Sequence, residues 1–213
     1  MPQLSRAAVV TLELAAGGLV IGFVLGVPAA LLRTYSRGLP RMIASAYIEF
    51  FRGTPLLVQI FVVYYGLPDI GINVSRILAA WLALGLNSGA YQAEYFRGAI
   101  EAVSEGQMTA ARAMGMTRLQ ALRHVVLPQA ARLVIPAWSN ECVYLTQYTS
   151  AAFAIAIPEL MATAKSLVSW TFRPVEVYLA VAVVYLIILT ALSVLLKRVE
   201  TRYKIPGLGK NEA

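Results

Sequence analysis

Eight of the polar side chains within or beside the long apolar runs of this 213-residue sequence are the first candidates for chemistry. They are Gln59, Asn87, Glu94, Asn140, Glu141, Gln147, Tyr148 and Thr149. Polar groups in an apolar phase are costly, so they either bind a solute or hydrogen-bond neighbouring helices. Glu141 stands out because it is a carboxylate near the middle of a run. A cationic solute, with an ammonium or guanidinium group, would suit it.

Residues for catalysis or metal binding are scarce. The chain has a single histidine, His124, and a single cysteine, Cys142, with no His-x-x-x-His or Asp-rich motif. We therefore predict no catalytic group, metal site or internal disulfide. A phosphate loop is also missing, since Gly207–Asn211 is too short and lacks the hydroxyl residue. We expect His124 to pack or lie in an interface, and Cys142 to be a small buried hydrophobe.

The elements that position these residues are membrane helices. Hydrophobic residues make up 59% of the chain and charged ones only 14%, and the mean hydropathy is +0.67. A membrane helix takes roughly 20 apolar residues. We predict an all-α integral membrane protein of one domain, residues 1–213, with five spans: Ala7–Leu32, Met42–Tyr65, Ile77–Tyr95, Leu133–Ile157 and Val175–Leu196. The first run is longer than a signal-peptide core, so we expect it to be retained.

The basic residues set the orientation of the bundle. Thirteen of the eighteen follow the first, third or fifth span, which places them on one side of the membrane. Cytoplasmic loops carry an excess of Lys and Arg. We therefore expect a multi-pass protein with its N-terminus outside and its C-terminus in the cytoplasm. The net charge of +7 then reflects topology, not nucleic-acid binding.

Two features indicate that the spans pack against protein. Gly18, Gly22 and Gly26 form one stripe along the first span, where another helix can approach closely. The second span is interrupted at Arg52-Gly53-Thr54-Pro55, so we expect a kink there that protein or a water-filled cavity covers. Glu49 and Arg52 are spaced to pair on one helix face.

The segment of residues 101–128, between the third and fourth spans, is polar but regular. Ser104–Gln107 and Thr117–Gln120 fit capping boxes, and each predicts the start of a short helix. Gly115 predicts a left-handed end to the first helix, and Pro128 a bend before the fourth span. Two such amphipathic helices could lie on the membrane surface, dock into a soluble partner, or form an ordinary hairpin.

At this point the sequence resembles a known family. One pattern is similar to the loop signature of binding-protein-dependent ABC importer permeases. It reads Thr109-Ala110-Ala111, three residues, Gly115, nine residues and then Val125-Val126-Leu127-Pro128. Thr109 replaces the family's glutamate and Val125 its isoleucine. Three further segments resemble the polar amino acid branch of this family: Arg52–Gln59, Tyr95–Gly98 and the stretch from Gly106 to Ala130.

The resemblance implies a type I importer permease that moves a polar amino acid inward by alternating access. In that family the loop couples to a cytoplasmic ATPase dimer, which binds ATP and Mg, while this chain binds no cofactor. The implied partners are that ATPase, a second permease subunit (a copy or a paralogue), an extracytoplasmic binding protein and the lipid of a bacterial inner membrane. The implied coupling residues are Gln107, Thr109, Ala110, Ala111, Arg112, Met114, Gly115 and Met116.

The predicted substrate-binding residues are Gln59, Asn87, Asn140, Glu141, Gln147, Tyr148 and Thr149. The family usually has a Lys-Asp pair where this chain has Gln147 and Tyr148, which implies different selectivity or one specialised half of a heterodimer.

Two other function classes fit the sequence less well. A stand-alone carrier or channel is one alternative, but carriers often have internal repeats, and this chain has five predicted spans and no visible repeat. A membrane enzyme is the other, but the sequence lacks the convergent acid–base groups that it would need.

Overall fold

The computed structural model describes residues 2–103 and 105–203, and this part of the chain is helical without any strand, which confirms the all-α prediction. The α-helices are α1 (Pro2–Tyr35), α2 (Leu39–Gly53), α3 (Leu56–Phe61), α4 (Leu67–Asp69), α5 (Arg76–Ala102), α6 (Glu105–Ala113), α7 (Arg118–Ala121), α8 (Leu127–Leu133), α9 (Ile135–Tyr148), α10 (Leu160–Thr171) and α11 (Pro174–Tyr203). Two π turns, Val62–Gly66 and Leu122–Val126, and one 3-10 helix, Thr149–Ile155, link some of them.

The predicted glycine stripe packs α1 against α5. A Cβ atom on Gly18 would lie 2.9 Å from the Leu84 Cβ atom, and one on Gly26 would lie 2.9 Å from the carbonyl oxygen of Gly89. A Cβ atom on Gly22 would come within 2.5 Å of the Gln92 Nε2 atom. These three positions have no room for a side chain, so glycine is required for the close approach of the two helices.

The membrane spans agree with the prediction in outline. Among the described residues, Gln3–Tyr35 and Pro174–Tyr203 are each long and apolar enough to cross a membrane. Two further pairs of helices are long and apolar enough when each pair is taken as one span. Leu39–Gly53 and Leu56–Asp69 are bent by 108° relative to each other, and Ile135–Ile155 and Leu160–Thr171 by 51°. The remaining predicted span lies within α5, whose 27 residues are long enough but include several polar side chains. A five-span bundle is consistent with these elements.

The break in the second span is held by two side-chain amides. Pro55 has no N–H group, so the Phe51 carbonyl loses the partner it would have in a continuous helix. Gln59 Nε2 donates to this carbonyl at 2.9 Å, and Asn87 Nδ2 donates to it at 3.1 Å. Gln59 Nε2 also lies 2.8 Å from Thr54 Oγ1. The expected kink is therefore present and covered by protein.

The stretch between the predicted fourth and fifth spans contains a helix that the sequence analysis did not predict, α10, formed by residues Leu160–Thr171. Glu159 begins this helix, because its side chain accepts hydrogen bonds from the backbone N–H groups of Met161 and Ala162, both at 2.7 Å. The same carboxylate accepts from the Tyr185 hydroxyl at 3.2 Å, which ties α10 to α11. A carboxylate at a helix N-terminus satisfies free N–H groups.

The expected bend at Pro128 is also corrected. The backbone stays helical through Pro128, and the π turn Leu122–Val126 comes directly before it. A π turn widens the preceding turn and so gives the proline ring room. Gln129 Nε2 then donates to the Val125 carbonyl at 3.0 Å. Pro68 likewise follows the π turn Val62–Gly66 by two residues, so the chain uses the same solution twice.

Candidate substrate site and coupling loop

The predicted coupling loop, residues 101–128, contains α6, a tight corner and α7. Gly115 ends α6 with a φ angle of +88°, and its N–H group donates to the Arg112 carbonyl at 3.0 Å while the Met116 N–H group donates to the Ala111 carbonyl at 3.2 Å. This is the Schellman pattern, which favours glycine. Thr117 and Gln120 form the predicted capping box at the start of α7. The capping box predicted at Ser104 lies outside the described residues.

The inner side of the loop is fixed to the bundle. Met108 and Leu122 pack against a buried cluster that includes Val126, Ile100 and Val134. These residues come from α5, the loop and the beginning of the fourth span. The loop is therefore attached to two long elements and can transmit displacement to both.

The outer side of the loop presents apolar side chains at its corner. Met114 and Leu119 are each 73% exposed, and Gly115 lies between them. Of the predicted coupling residues, Gln107, Thr109, Ala110, Arg112, Met114 and Gly115 are exposed and Met116 is half-buried. Ala111 is only 1% exposed, so its side chain faces the bundle. Leu119 was not among the predicted contacts, although an apolar residue in the first turn of α7 signals it.

Ionic contacts join α1, α2 and α5 next to this loop. Glu94 lies 3.4 Å from Arg33, 3.7 Å from Arg52 and 2.8 Å from Arg97. Hydrogen bonds to Glu94 and Glu101 raise the pKa of Arg97 above its ordinary value. The predicted pairing of Glu49 with Arg52 is corrected, because Glu49 lies 3.1 Å from Arg33 instead. Glu49 and Arg52 each form an ion pair with a residue of a neighbouring helix instead of with each other.

Glu141 lies at the wall of a small cavity of about 150 Å³ between α5 and α9, and its side chain is 3% exposed. The other lining residues are Tyr91, Tyr95, Tyr144 and Tyr148. Ser88 Oγ donates to Glu141 Oε1 at 2.7 Å, and Tyr95 lines the cavity beside the same carboxylate. Among the described residues, Glu141 forms no ion pair. The site thus combines a carboxylate with four aromatic rings, and this combination suits a cation.

The structure brings only part of the predicted substrate set to this cavity. Glu141 and Tyr148 line it, whereas Asn140 and Gln147 are exposed elsewhere on α9. Thr149 is buried, and its hydroxyl donates to the Thr146 carbonyl at 2.8 Å. Gln59 and Asn87 are engaged at the helix break, with Asn87 Nδ2 donating to Gln59 Oε1 at 3.1 Å.

Sequence reasoning missed three of the tyrosines and Ser88. Their spacing contained a usable signal, because Glu141, Tyr144 and Tyr148 are three and seven residues apart and so share a helix face. Tyr91 and Tyr95 are four residues apart on α5 for the same reason. The pairing of these two faces, however, depends on how α5 and α9 pack, which local spacing does not determine.

The described residues contain no cluster of His, Cys, Asp or Glu that could hold a metal ion. His124 Nδ1 donates to the Gln120 carbonyl at 3.0 Å, a contact within its own helical segment. Cys142 is buried and unpaired to another cysteine, as predicted for a small hydrophobe. The arrangement around Glu141 can bind a solute through charge, hydroxyl groups and aromatic faces.

Comparison with known proteins agrees with this description. Residues 2–205 match the family described as binding-protein-dependent transport system inner membrane component. The chain is 40% identical to a probable amino-acid ABC transporter permease protein of Vibrio harveyi, over 91% of this chain and 90% of that protein. It is 37% identical to the glutamine transport system permease protein of Escherichia coli K12, over 96% of this chain and 94% of that protein.

A solved structure shares the fold over nearly the whole chain. It is the crystal structure of an amino acid ABC transporter with histidines, with a TM-score of 0.88 and 37% identity, and the match covers 94% of both chains. A methionine ABC transporter in an inward-facing conformation, at 21% identity and a TM-score of 0.83, shows the same fold. This chain therefore belongs to the binding-protein-dependent transport system inner membrane component family, as a permease subunit of an amino acid ABC transporter.

Proposed function

We propose that this permease subunit moves a polar amino acid into the cell by alternating access, driven by a separate ATPase that holds the coupling loop. The observation that carries the proposal is the exposed apolar corner of Met114, Gly115 and Leu119. Exposed apolar side chains on a rigid, polar loop are typical of a binding surface. A cleft in a soluble protein would cover them, and the attachment of the loop to the bundle would carry its movement inward.

The proposed assembly has four kinds of component. A cytoplasmic ATPase dimer binds ATP and Mg, so this chain needs no cofactor and performs no catalysis. A second permease subunit, either a copy or a paralogue, completes the transport path, since five helices alone enclose little space. An extracytoplasmic binding protein delivers the amino acid, in line with the family description. The chain lies in a bacterial inner membrane with its N-terminus outside and its C-terminus in the cytoplasm, following the distribution of basic residues.

The proposed substrate is a polar amino acid with a cationic group, held at Glu141. Its carboxylate is buried, and it accepts a hydrogen bond from the uncharged Ser88 hydroxyl. A buried charge is normally paired, so the substrate would supply the opposite charge. The rings of Tyr95, Tyr144 and Tyr148 would add cation–π attraction, whereas the Tyr91 ring already faces the Arg52 guanidinium, 5.3 Å from the ring centroid. The departure from the family's Lys-Asp pair at Gln147 and Tyr148 leaves Glu141 as the charge in this cavity.

The experiment for the coupling proposal places a charge on the apolar corner. Met114→Asp and Leu119→Asp are made in the complete complex, which is reconstituted in liposomes with its ATPase and binding protein. We expect at least about a tenfold loss of amino-acid uptake and of substrate-stimulated ATP hydrolysis, because burying an unpaired carboxylate in a protein interface costs several kcal/mol. Retention of the ATPase during purification should fall in parallel.

Thr201→Asp is the matched control, because Thr201 is exposed near the cytoplasmic end of α11 and away from the corner. This variant should insert, assemble and transport like the unmodified protein. If both corner variants keep the ATPase bound and responsive to substrate, the coupling proposal is wrong.

A further inference from the structure

A line of four hydrogen-bonded side chains ends at Glu141. The Trp138 indole N–H donates to Gln92 Oε1 at 2.9 Å, and Gln92 Nε2 donates to Ser88 Oγ at 3.0 Å. Ser88 Oγ in turn donates to Glu141 Oε1 at 2.7 Å. We call this line the Trp138 relay. It connects α9 to α5 and returns to α9 one helical turn from where it began.

The chemistry of the groups sets the direction of the relay. An indole N–H can only donate, so the oxygen end of the Gln92 amide must face Trp138. The nitrogen end then faces Ser88, and a second contact agrees, because Gln92 Nε2 also donates to the Leu19 carbonyl at 3.3 Å. Since Ser88 Oγ accepts from Gln92, its own hydrogen is available for Glu141. Every donor in the relay points towards the carboxylate.

Ser88, Gln92 and Glu141 of the relay are buried and have little freedom to rearrange, while Trp138 is half-buried. Ser88 and Gln92 are fully buried, and the bare backbone of Gly22 leaves the space that the Gln92 amide occupies. The Trp138 ring is held at the wall of an apolar cavity, where Phe96 and Val134 are among its neighbours. Hydrogen bonds in such a low-dielectric setting are strong, and linked bonds polarise one another.

We propose that Trp138, Gln92 and Ser88 are positioning residues that hold Glu141 as a hydrogen-bond acceptor aimed at the cationic group of the substrate. The proposal rests on the function proposed above and extends it to three residues that do not line the cavity. Trp138 fixes the Gln92 amide, Gln92 fixes the Ser88 hydroxyl, and Ser88 fixes the carboxylate. Loss of any member allows Glu141 to rotate or take a proton, and cation binding weakens.

The test measures equilibrium binding of radiolabelled arginine and glutamine to the purified transporter complex without its binding protein. Arginine is the cationic probe, and glutamine is a neutral amino acid of similar length. For Trp138→Phe, Gln92→Leu and Ser88→Ala, we expect the arginine Kd to rise about fivefold or more, as the loss of one hydrogen bond predicts. The glutamine Kd should stay within about twofold.

A double-mutant comparison separates positioning from a general structural effect. In the Glu141→Gln background, Trp138→Phe should cause no further change in the arginine Kd, because the carboxylate that it positions is absent. Trp81→Phe is the matched control, since the Trp81 indole N–H donates to the Glu13 carbonyl at 3.3 Å, outside the relay. This control should bind arginine normally.

The outcomes distinguish the relay from the proposed function. If Glu141→Gln weakens arginine binding but the relay variants do not, the relay is wrong and the substrate proposal stands. If the relay variants raise both Kd values equally, or if Trp138→Phe adds its full effect to Glu141→Gln, the residues are structural and the inference is overturned. If Glu141→Gln leaves arginine binding unchanged, the proposed cation site itself fails.

Discussion

Polar side chains within the membrane helices of this protein find hydrogen-bond partners in two different ways. Gln59 and Asn87 use neutral amides to satisfy a backbone carbonyl that a proline has freed. Glu141 keeps a buried carboxylate that accepts a hydrogen bond from the Ser88 hydroxyl. Neutral amides at a helix break have a structural task that is complete without ligand. A carboxylate without a cation is the kind of group that a substrate can complete.

The first prediction concerns Glu141. Glu141→Gln keeps the shape of the side chain but removes the charge, so stimulation of ATP hydrolysis by cationic amino acids should require about tenfold to hundredfold higher concentrations. Neutral polar amino acids should be little affected. The measurement is a scan of amino acids over the transporter complex in liposomes.

Glu13→Gln is the control for this experiment, because Glu13 is an exposed carboxylate on α1. It should leave the amino-acid profile unchanged. An unaltered affinity and selectivity in Glu141→Gln would remove this residue from the substrate site.

The sequence identified Glu141 correctly as a carboxylate in an apolar run, but it did not identify the surroundings. Tyr91 and Tyr95 lie about 50 positions earlier in the chain than Glu141. Their proximity results from the packing of α5 on α9, and no local pattern records that. Gln59 and Asn87, which were also predicted to bind substrate, hydrogen-bond the Phe51 carbonyl and each other at the helix break, so their part in substrate binding stays a prediction.

At the scale of helices, the contact between α1 and α5 is the most closely fitted part of the structure. Glycines occur on both surfaces, since a Cβ atom on Gly85 would overlap the Ile21 side chain, and one on Gly89 would lie 3.2 Å from the carbonyl oxygen of Gly22. Backbone atoms therefore meet almost directly, and van der Waals packing stabilises the pair.

Gly22→Ala should destabilise the protein by about 1–3 kcal/mol, the usual cost of inserting atoms into a packed interior. The new methyl group would collide with the Gln92 amide and the Gly89 backbone. Thermal unfolding of the purified complex in detergent would record the loss as a lower Tm.

Gly98→Ala provides the matched comparison, because it is also a helical glycine but has open space around its would-be Cβ atom. This change should be neutral or stabilising by up to about 1 kcal/mol, since alanine favours a helix over glycine. Equal Tm shifts for the two variants would contradict the packing argument.

Elements with strong local signals were predictable, and those set by tertiary contacts were not. The capping box at Thr117 and the left-handed end at Gly115 were both found, because each depends on a few adjacent residues. Helix α10 was missed because Glu159, the residue that caps its N-terminus, was not recognised as a cap next to Pro158. Pro128 was expected to bend the chain, but the π turn before it absorbs the proline.

At the scale of the whole molecule, the orientation in the membrane remains a prediction from charge, and the chain allows a clean test. Trp170→Cys and Thr201→Cys place a thiol at exposed positions on α10 and near the end of α11. A membrane-impermeant maleimide should label Cys at position 170 in spheroplasts, and Cys at position 201 only after the membrane is opened. The native Cys142 is buried and should react slowly with either treatment.

The unmodified chain provides the background signal for this measurement. Labelling at position 201 from outside, or protection at position 170, would reverse the proposed topology. It would also place the coupling loop on the wrong side for a cytoplasmic ATPase.

Helix α11 packs little against the rest of the chain. Only 6% of its most apolar stretch is buried, although α11 is more apolar than α1, the other single helix long enough to cross a membrane. Val183, Leu186 and Ile187 point away from the rest of the chain and are each more than half exposed. An acyl chain packs equally well against any aliphatic shape, so exchange among valine, leucine and isoleucine should be free at these positions over evolutionary time. The glycines of α1 have no such latitude. Divergent descendants of this sequence should therefore drift on one side of the molecule and stay constant on the other.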